Sequence, residues 1–180
     1  MYVCPEIQVI YLAQPRTASR SCVAFLKANT PVRTVGSHHD MDDAELKFRT
    51  NDGWRIVVAV RNHFDILVSW WHHNPNWFSR PKSESGFDYF VRDFTTGKGN
   101  QYAKPHAMYG RYQPLATHIM RYENLWDDLS DAVRIPAPLE DRPHIGPSDR
   151  NPYPMYYDDK TRAYVEGYYA KEMEKYGYGF

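Results

Sequence analysis

Cysteine is scarce in this chain, since Cys4 and Cys22 are the only two among 180 residues. So few cysteines provide neither a disulfide framework nor a zinc-binding spacing. Cys22 also falls on the apolar side of a predicted helix, where a thiol usually packs as a small hydrophobic group. The functional side chains must therefore be sought elsewhere.

An excess of either charge is also missing, because 22 basic residues balance 22 acidic ones. Bulk electrostatics then gives no reason to propose nucleic acid or an acidic membrane as a partner. A site for an anionic ligand would have to be built locally, from a few basic side chains placed together.

Long apolar runs are the third absence. No stretch of the chain approaches the ~20 apolar residues that a membrane span requires. The first residues, MYVCPEIQV, have neither a basic start nor the apolar core of a signal peptide. The 15 tyrosines and five tryptophans argue against a low-complexity chain. We expect a cytoplasmic protein with a single domain over residues 1–180.

Residues 10–25 read IYLAQPRTASRSCVAF and combine an apolar strand, a polar turn and the start of an amphipathic helix. The first N–H groups of a helix have no partner within it and favour an anion. Two arginines and three hydroxyl residues between positions 16 and 21 add donors and positive charge. The stretch predicts a phosphate or sulfate site, with an ordinary helix cap as the alternative.

Strands and helices alternate along the rest of the chain, which is typical of βαβ units and an α/β fold. Further strands are predicted at 32–35, 55–60 and 117–122. Helices are predicted from about 65 to 74, and over 87–94, 123–133 and 158–176. Residues 40–48 are predicted to form a short helix or an irregular segment.

A second anion site is predicted where the strand at 55–60 ends. Arg61 follows that strand directly, and Ser69 comes eight residues later. This spacing puts Ser69 about two helical turns along the next helix. An arginine fork and a hydroxyl could bracket an anion there, although a surface arginine and a solvent-facing serine would produce the same pattern.

Two of these segments resemble the signatures of sulfotransferases. PRTASRS after a strand is similar to their 5′-phosphosulfate loop, and VVAVRNHFDILVSWW is similar to their strand followed by R-x7-S. IMRYENLWDDL and the stretch from 144 to 180 resemble later parts of the family, closest to its carbohydrate and heparan-type branch. The resemblance implies a P-loop-like three-layer α/β fold, with a central mostly parallel sheet flanked by helices.

The resemblance also implies a donor, 3′-phosphoadenosine 5′-phosphosulfate (PAPS), and no metal. The first loop would hold its 5′ end through Arg16, Thr17, Ala18, Ser19, Arg20 and Ser21. Arg61 and Ser69 would bind the 3′-phosphate, and Arg150 matches a late cofactor contact. Arg16 stands where many members have lysine, and Ala18 where glycine is usual. Because arginine stays charged, Arg16 would act as an electrostatic clamp on the leaving phosphate.

The acceptor hydroxyl needs a base, and His39 or His38 follows the second strand at the expected edge of the sheet. A solvent-exposed loop, or adventitious metal binding, is the alternative for this pair. Trp77 and Phe78 are candidates for the acceptor wall or an adenine contact, because flat aromatic rings suit sugars and phenols.

The resulting expectation is a sulfotransferase acting on a hydroxyl, with a saccharide as the acceptor class. One alternative is a small-molecule kinase, which would need magnesium and the GxxxxGK pattern that the chain lacks. The other is a nucleotide-phosphate binding module that has lost transfer. The acceptor and the oligomeric state stay open.

Overall fold

A computed structural model describes residues 1–36, 49, 52–73, 86–96, 115–146 and 149–180. The chain divides into two units. The first consists of Met1–Arg61 and Tyr112–Gly146, and the second of Asn62–Arg111 and Pro147–Phe180. The expectation of one domain stays a prediction. The short helix or irregular segment predicted over 40–48 lies outside the described residues.

In the described residues of the first unit, five strands form one sheet. They are β1 (Tyr2–Cys4), β2 (Val9–Leu12), β3 (Arg33–Thr34), β4 (Arg55–Val60) and β5 (His118–Arg121), in the spatial order β3-β1-β2-β4-β5. β1 is antiparallel to both β2 and β3, whereas β2, β4 and β5 are mutually parallel. Four of these strands run in one direction, but two of the four pairings are antiparallel, so the sheet is mixed. The predicted α/β class is confirmed.

Six helices lie in the described residues: α1 (Ser19–Asn29), α2 (His63–His73), α3 (Phe87–Thr96), α4 (Leu125–Val133), α5 (Asp159–Tyr168) and α6 (Ala170–Tyr176). Single 3-10 turns occur at Pro5–Ile7, Tyr122–Asn124, Leu139–Asp141 and Tyr153–Tyr156. Among these described helices, none has both the length and the apolar character needed to cross a membrane.

The core of the first unit follows from the alternation of side chains along β2. Tyr11 and its alternate neighbours pack with buried side chains of α1 and α4. Ile10 and Leu12 point to the opposite face and pack with Trp54. Cys22 is buried in the first of these clusters, and burial raises the pKa of its thiol to about 12. This confirms that Cys22 is a core residue.

The second unit is helical and rich in aromatic contacts. Asn62 caps α2, since its Oδ1 accepts the backbone N–H of Phe64 at 3.0 Å. Its Nδ2 donates to the carbonyl of Gly179 at 2.8 Å, which ties the segment after α6 to the start of α2. The Phe64 ring lies 4.8 Å from that of Phe180.

The prediction of a single helix over 158–176 is wrong, because the chain forms α5 and α6 with a break at Tyr169. Tyr169 has φ −107° and ψ 18°, outside helical values. Its side chain is fully buried, with its ring 4.5 Å from that of His63. A continuous amphipathic pattern does not reveal such a break, which accompanies tertiary packing.

Candidate anion-binding site

The candidate site lies where the parallel strands of the first unit end. Because β2, β4 and β5 run in the same direction, the segments that follow them leave the sheet at one edge. Loops at this carboxyl edge are where open α/β sheets bind ligands. The segments are the turn before α1, then Arg61, then the 3-10 turn that begins at Tyr122.

The turn before α1 contains two non-glycine residues in the left-handed region, Arg16 with φ 62° and Ala18 with φ 57°. Each such residue carries a cost of about 1–2 kcal/mol, which the surrounding structure must offset. Ala18 is the residue before α1, and its side chain makes no capping hydrogen bond. The first-turn N–H groups of a helix have no partner within the helix and favour an anion.

Thr17 stabilises the turn from inside. It is fully buried, and its hydroxyl donates to the carbonyl of Gln14 at 3.0 Å. The hydroxyl proton of Thr17 is therefore used within the turn, so any donor that Thr17 offers to a ligand must be its backbone N–H. Ser19, which begins α1, is also buried.

Arg61 connects the end of β4 to this turn. The residue is only 4% exposed, and Nη1 donates to the carbonyl of Arg16 at 2.7 Å. Its Cζ lies 3.7 Å from the centre of the Tyr122 ring. A buried guanidinium needs hydrogen bonds or a π face to compensate for lost water, and both are present here.

Tyr122 contacts the candidate site through Arg61, and the sequence prediction missed it. The register pairs Val60 with Arg121, so the residues that follow, Arg61 and Tyr122, leave adjacent strands side by side. An aromatic residue immediately after a strand of the same parallel sheet was the available signal. It was assigned to the strand instead.

Ser21 and Arg20 contact the chain near the end of the first unit. The Ser21 hydroxyl is buried and accepts the backbone N–H of Ile145 at 3.0 Å. The guanidinium of Arg20 lies against Gly146, where a Cβ would collide with its Nη2 atom. The segment around Ile145 is thereby attached to the first turn of α1, beside the predicted anion loop.

Two other predicted ligands belong to the second unit. Ser69 lies on α2 with 2% of its surface exposed. Arg150 forms an ion pair with Asp65 through Nη2 and Oδ1 at 2.6 Å. Burial, and then the charge of Asp65, raise the pKa of Tyr157 well above its usual range. Asp65 was expected only to start a helix, and its pairing with Arg150 was not predicted.

Four predicted site residues, His38, His39, Trp77 and Phe78, lie outside the residues that the structure describes. Their roles as base and acceptor wall stay predictions. Within the described ranges, no group of three or more metal-ligating side chains is placed to hold an ion.

The opposite edge of the sheet has basic groups of its own. Arg55 begins β4 and donates to the carbonyl of Ala132, in α4, at 2.7 Å. The pKa of His118 is lowered first by burial and then by the charges of Arg55 and Arg134. Arg55 and His118 lie at the amino ends of β4 and β5, whereas Arg61 lies at the carboxyl edge.

The parallel strands of this α/β protein lead, at one edge of the sheet, into a strained turn, a helix start and a buried arginine. These features make up a candidate site for phosphate or sulfate. The chain belongs to the sulfotransferase family, since the family model described as Sulfotransferase domain matches residues 4–140. Comparison with curated proteins gave no match. Comparison with solved structures gave none either.

Proposed function

We propose that the chain transfers a sulfuryl group from PAPS to an acceptor hydroxyl, and that the acceptor is a saccharide. The family match supports a sulfotransferase enzyme. The observation that carries the assignment of the donor is the bond from Arg61 to the Arg16 carbonyl. It joins the residue predicted to bind a 3′-phosphate to the loop predicted to bind a 5′-phosphosulfate.

The turn between β2 and α1 would receive the 5′ end of the donor in a P-loop-like arrangement. When bound, the donor supplies a sulfuryl group attached to a phosphate leaving group. Arg16 would stabilise the negative charge that develops on that phosphate, because its guanidinium stays protonated throughout. The first-turn N–H groups of α1 and the charge of Arg20 would add to this stabilisation.

Arg61 fits the predicted 3′-phosphate role because it is buried and has a defined orientation. A charge-assisted hydrogen bond is stronger when both groups are shielded from water. Ser69 and Arg150, in the second unit, are the other predicted donor ligands, and the charge of Arg150 is partly balanced by Asp65. His39, with His38 as the alternative, would take the proton of the acceptor hydroxyl.

Thermal unfolding tests the donor assignment. Adenosine 3′,5′-bisphosphate at 100 times its Kd should stabilise the protein by about 2.7 kcal/mol, and magnesium-ATP should stabilise it less. Arg61→Ala should remove most of the effect. Lys27→Ala, an exposed change on α1, should leave it intact. Stabilisation by magnesium-ATP alone would favour the kinase alternative, and no stabilisation by the bisphosphate would overturn the proposal.

Transfer is tested separately with a donor labelled in its sulfuryl group and a panel of saccharide and phenol acceptors. We expect label on saccharide hydroxyls, and its loss in His39→Ala with bisphosphate binding unchanged. Label on phenols alone would overturn the saccharide assignment. Binding without transfer to any acceptor would favour the binding-module alternative.

A further inference from the structure

The Arg61 guanidinium is held from two directions. Nη1 donates to the Arg16 carbonyl at 2.7 Å, and the Tyr122 ring lies against the guanidinium with Cζ 3.7 Å from the ring centre. The hydrogen bond restrains rotation within the guanidinium plane, whereas the ring restrains the tilt of that plane. Together they leave Arg61 far less freedom than an arginine on the surface has.

Tyr122 is itself held in place by α4. The Asp128 carboxylate accepts the backbone N–H of Arg121 at 2.7 Å and Nδ2 of Asn124 at 2.6 Å. These two bonds bracket Tyr122 along the chain, one on each side, and fix the 3-10 turn that carries it. The ring is therefore supported before any ligand binds.

We propose that Tyr122 is a positioning residue that orients Arg61 toward the 3′-phosphate of the donor. This inference rests on the proposed function, and it assigns to Tyr122 an effect on the ligand that is exerted through Arg61. A preorganised guanidinium loses little side-chain entropy when it binds an anion, and affinity increases accordingly. The aromatic face also compensates the buried charge without competing for its in-plane donors.

The test measures how much the 3′-phosphate contributes to binding. Calorimetry gives the Kd of adenosine 3′,5′-bisphosphate and that of adenosine 5′-phosphate. The Kd of the 5′-phosphate divided by the Kd of the bisphosphate measures what the 3′ group contributes. Tyr122→Leu should reduce this ratio about fivefold, the equivalent of one cation–π contact of ~1 kcal/mol. Tyr122→Phe keeps the ring and should keep the ratio. Tyr122→Met is the second non-aromatic variant, in case the leucine protein does not fold.

A matched control is available in the second unit, where the guanidinium of Arg92 lies 4.8 Å from the centre of the Tyr164 ring. Tyr164→Leu breaks a pair of the same kind and should lower the unfolding temperature without changing the ratio. The ratio is thus a readout that a purely structural tyrosine would not alter.

Action through Arg61 is tested with Arg61→Met, because a lysine would keep a cation beside the ring. In that background Tyr122→Leu should change the ratio by less than twofold. Equal effects in both backgrounds would mean that Tyr122 acts independently of Arg61 and would overturn the proposal. An unchanged ratio in Tyr122→Leu and Tyr122→Met, with a wild type that prefers the bisphosphate, would overturn the positioning role alone. A wild type with no such preference would overturn the proposed donor together with this role.

Discussion

Arg61 donates a hydrogen bond of 2.7 Å to the carbonyl oxygen of Arg16, so the end of β4 supports the turn that follows β2. Arg16 has φ 62°, and contacts of this kind offset the cost of its left-handed backbone. The bond makes Arg61 important for stability as well as for the proposed binding of an anion.

Arg61→Leu should lower the free energy of unfolding by about 1–3 kcal/mol, because the variant removes the donor to a carbonyl beside a strained turn. Urea denaturation measures this difference. Arg92→Leu, which removes an exposed arginine beside Tyr164, should cost less than about 1 kcal/mol. Equal losses in the two variants would show that the bond to Arg16 contributes nothing particular.

Gly146 allows a direct test of Arg20, because a Cβ there would collide with the Arg20 guanidinium. Gly146 has φ 66° and Gly53 has φ 75°, yet a Cβ on Gly53 meets nothing within 4 Å. Both alanine variants should therefore lose similar stability, about 1 kcal/mol from the left-handed backbone. The end of a flexible arginine side chain can move aside, so the collision should displace Arg20 without unfolding the chain.

The two variants should differ in binding. Gly146→Ala should weaken adenosine 3′,5′-bisphosphate several-fold, because it moves a charge away from the start of α1. Gly53→Ala should not weaken binding. In an Arg20→Ala background the two glycine variants should bind alike. Wild-type affinity in Gly146→Ala would contradict a role for Arg20 in the anion site.

Strong local patterns explain which elements could be predicted from the sequence. β4 was predicted with its observed bounds, Arg55–Val60, because five apolar residues in a row leave little alternative to a buried strand. β1 was not predicted. Its three residues, Tyr2–Cys4, are too short to show a period, and its partners β2 and β3 are identified only by long-range pairing.

The same distinction holds for the candidate site. The turn before α1 and Arg61 were found because their residue types and spacing are local features. The contact of Arg61 with Tyr122 depends on the register of β4 with β5, across a separation of 61 residues. The ion pair of Arg150 with Asp65 likewise joins distant positions. Contacts of this kind follow from topology, which a single sequence does not display.

The burial of His63 leads us to predict a specific loss of stability in acid. It is fully buried, and burial lowers its pKa from 6.5 to about 3. The unfolded chain therefore binds more protons than the folded chain between these two pKa values. The stability contributed by neutral His63 is complete above pH 6.5 and is lost as the pH falls below it. At pH 5 the loss should be about 2 kcal/mol.

Urea denaturation at pH 8 and pH 5 measures this effect. His63→Phe keeps an aromatic ring against Tyr169 and removes the titrating group, so its stability should change less between the two pH values. His118→Gln is the control, because the pKa of His118 is also lowered but the group is less buried. It should keep most of the wild-type dependence. Equal pH dependence in wild type and His63→Phe would contradict the prediction.

Arg134 ends α4 in the left-handed region, with φ 58°. Glycine is the usual residue at this position of a helix because it has no Cβ to strain. Arg134→Gly should therefore stabilise the protein by up to about 1 kcal/mol, after allowing for the flexibility of glycine in the unfolded chain. Thermal or urea unfolding measures the gain.

Arg134→Ala separates the backbone effect from the charge effect, because it removes the guanidinium and keeps a Cβ. The pKa of Arg55 is lowered by burial and then by the charge of Arg134, and that charge also lowers the pKa of His118. Both variants should therefore raise the pKa of His118, as followed by NMR titration. Only Arg134→Gly should also gain stability from relief of the left-handed backbone. If the alanine variant is as stable as the glycine variant, the left-handed backbone carries no cost there. If the pKa of His118 stays unchanged in both, the charge of Arg134 does not reach His118.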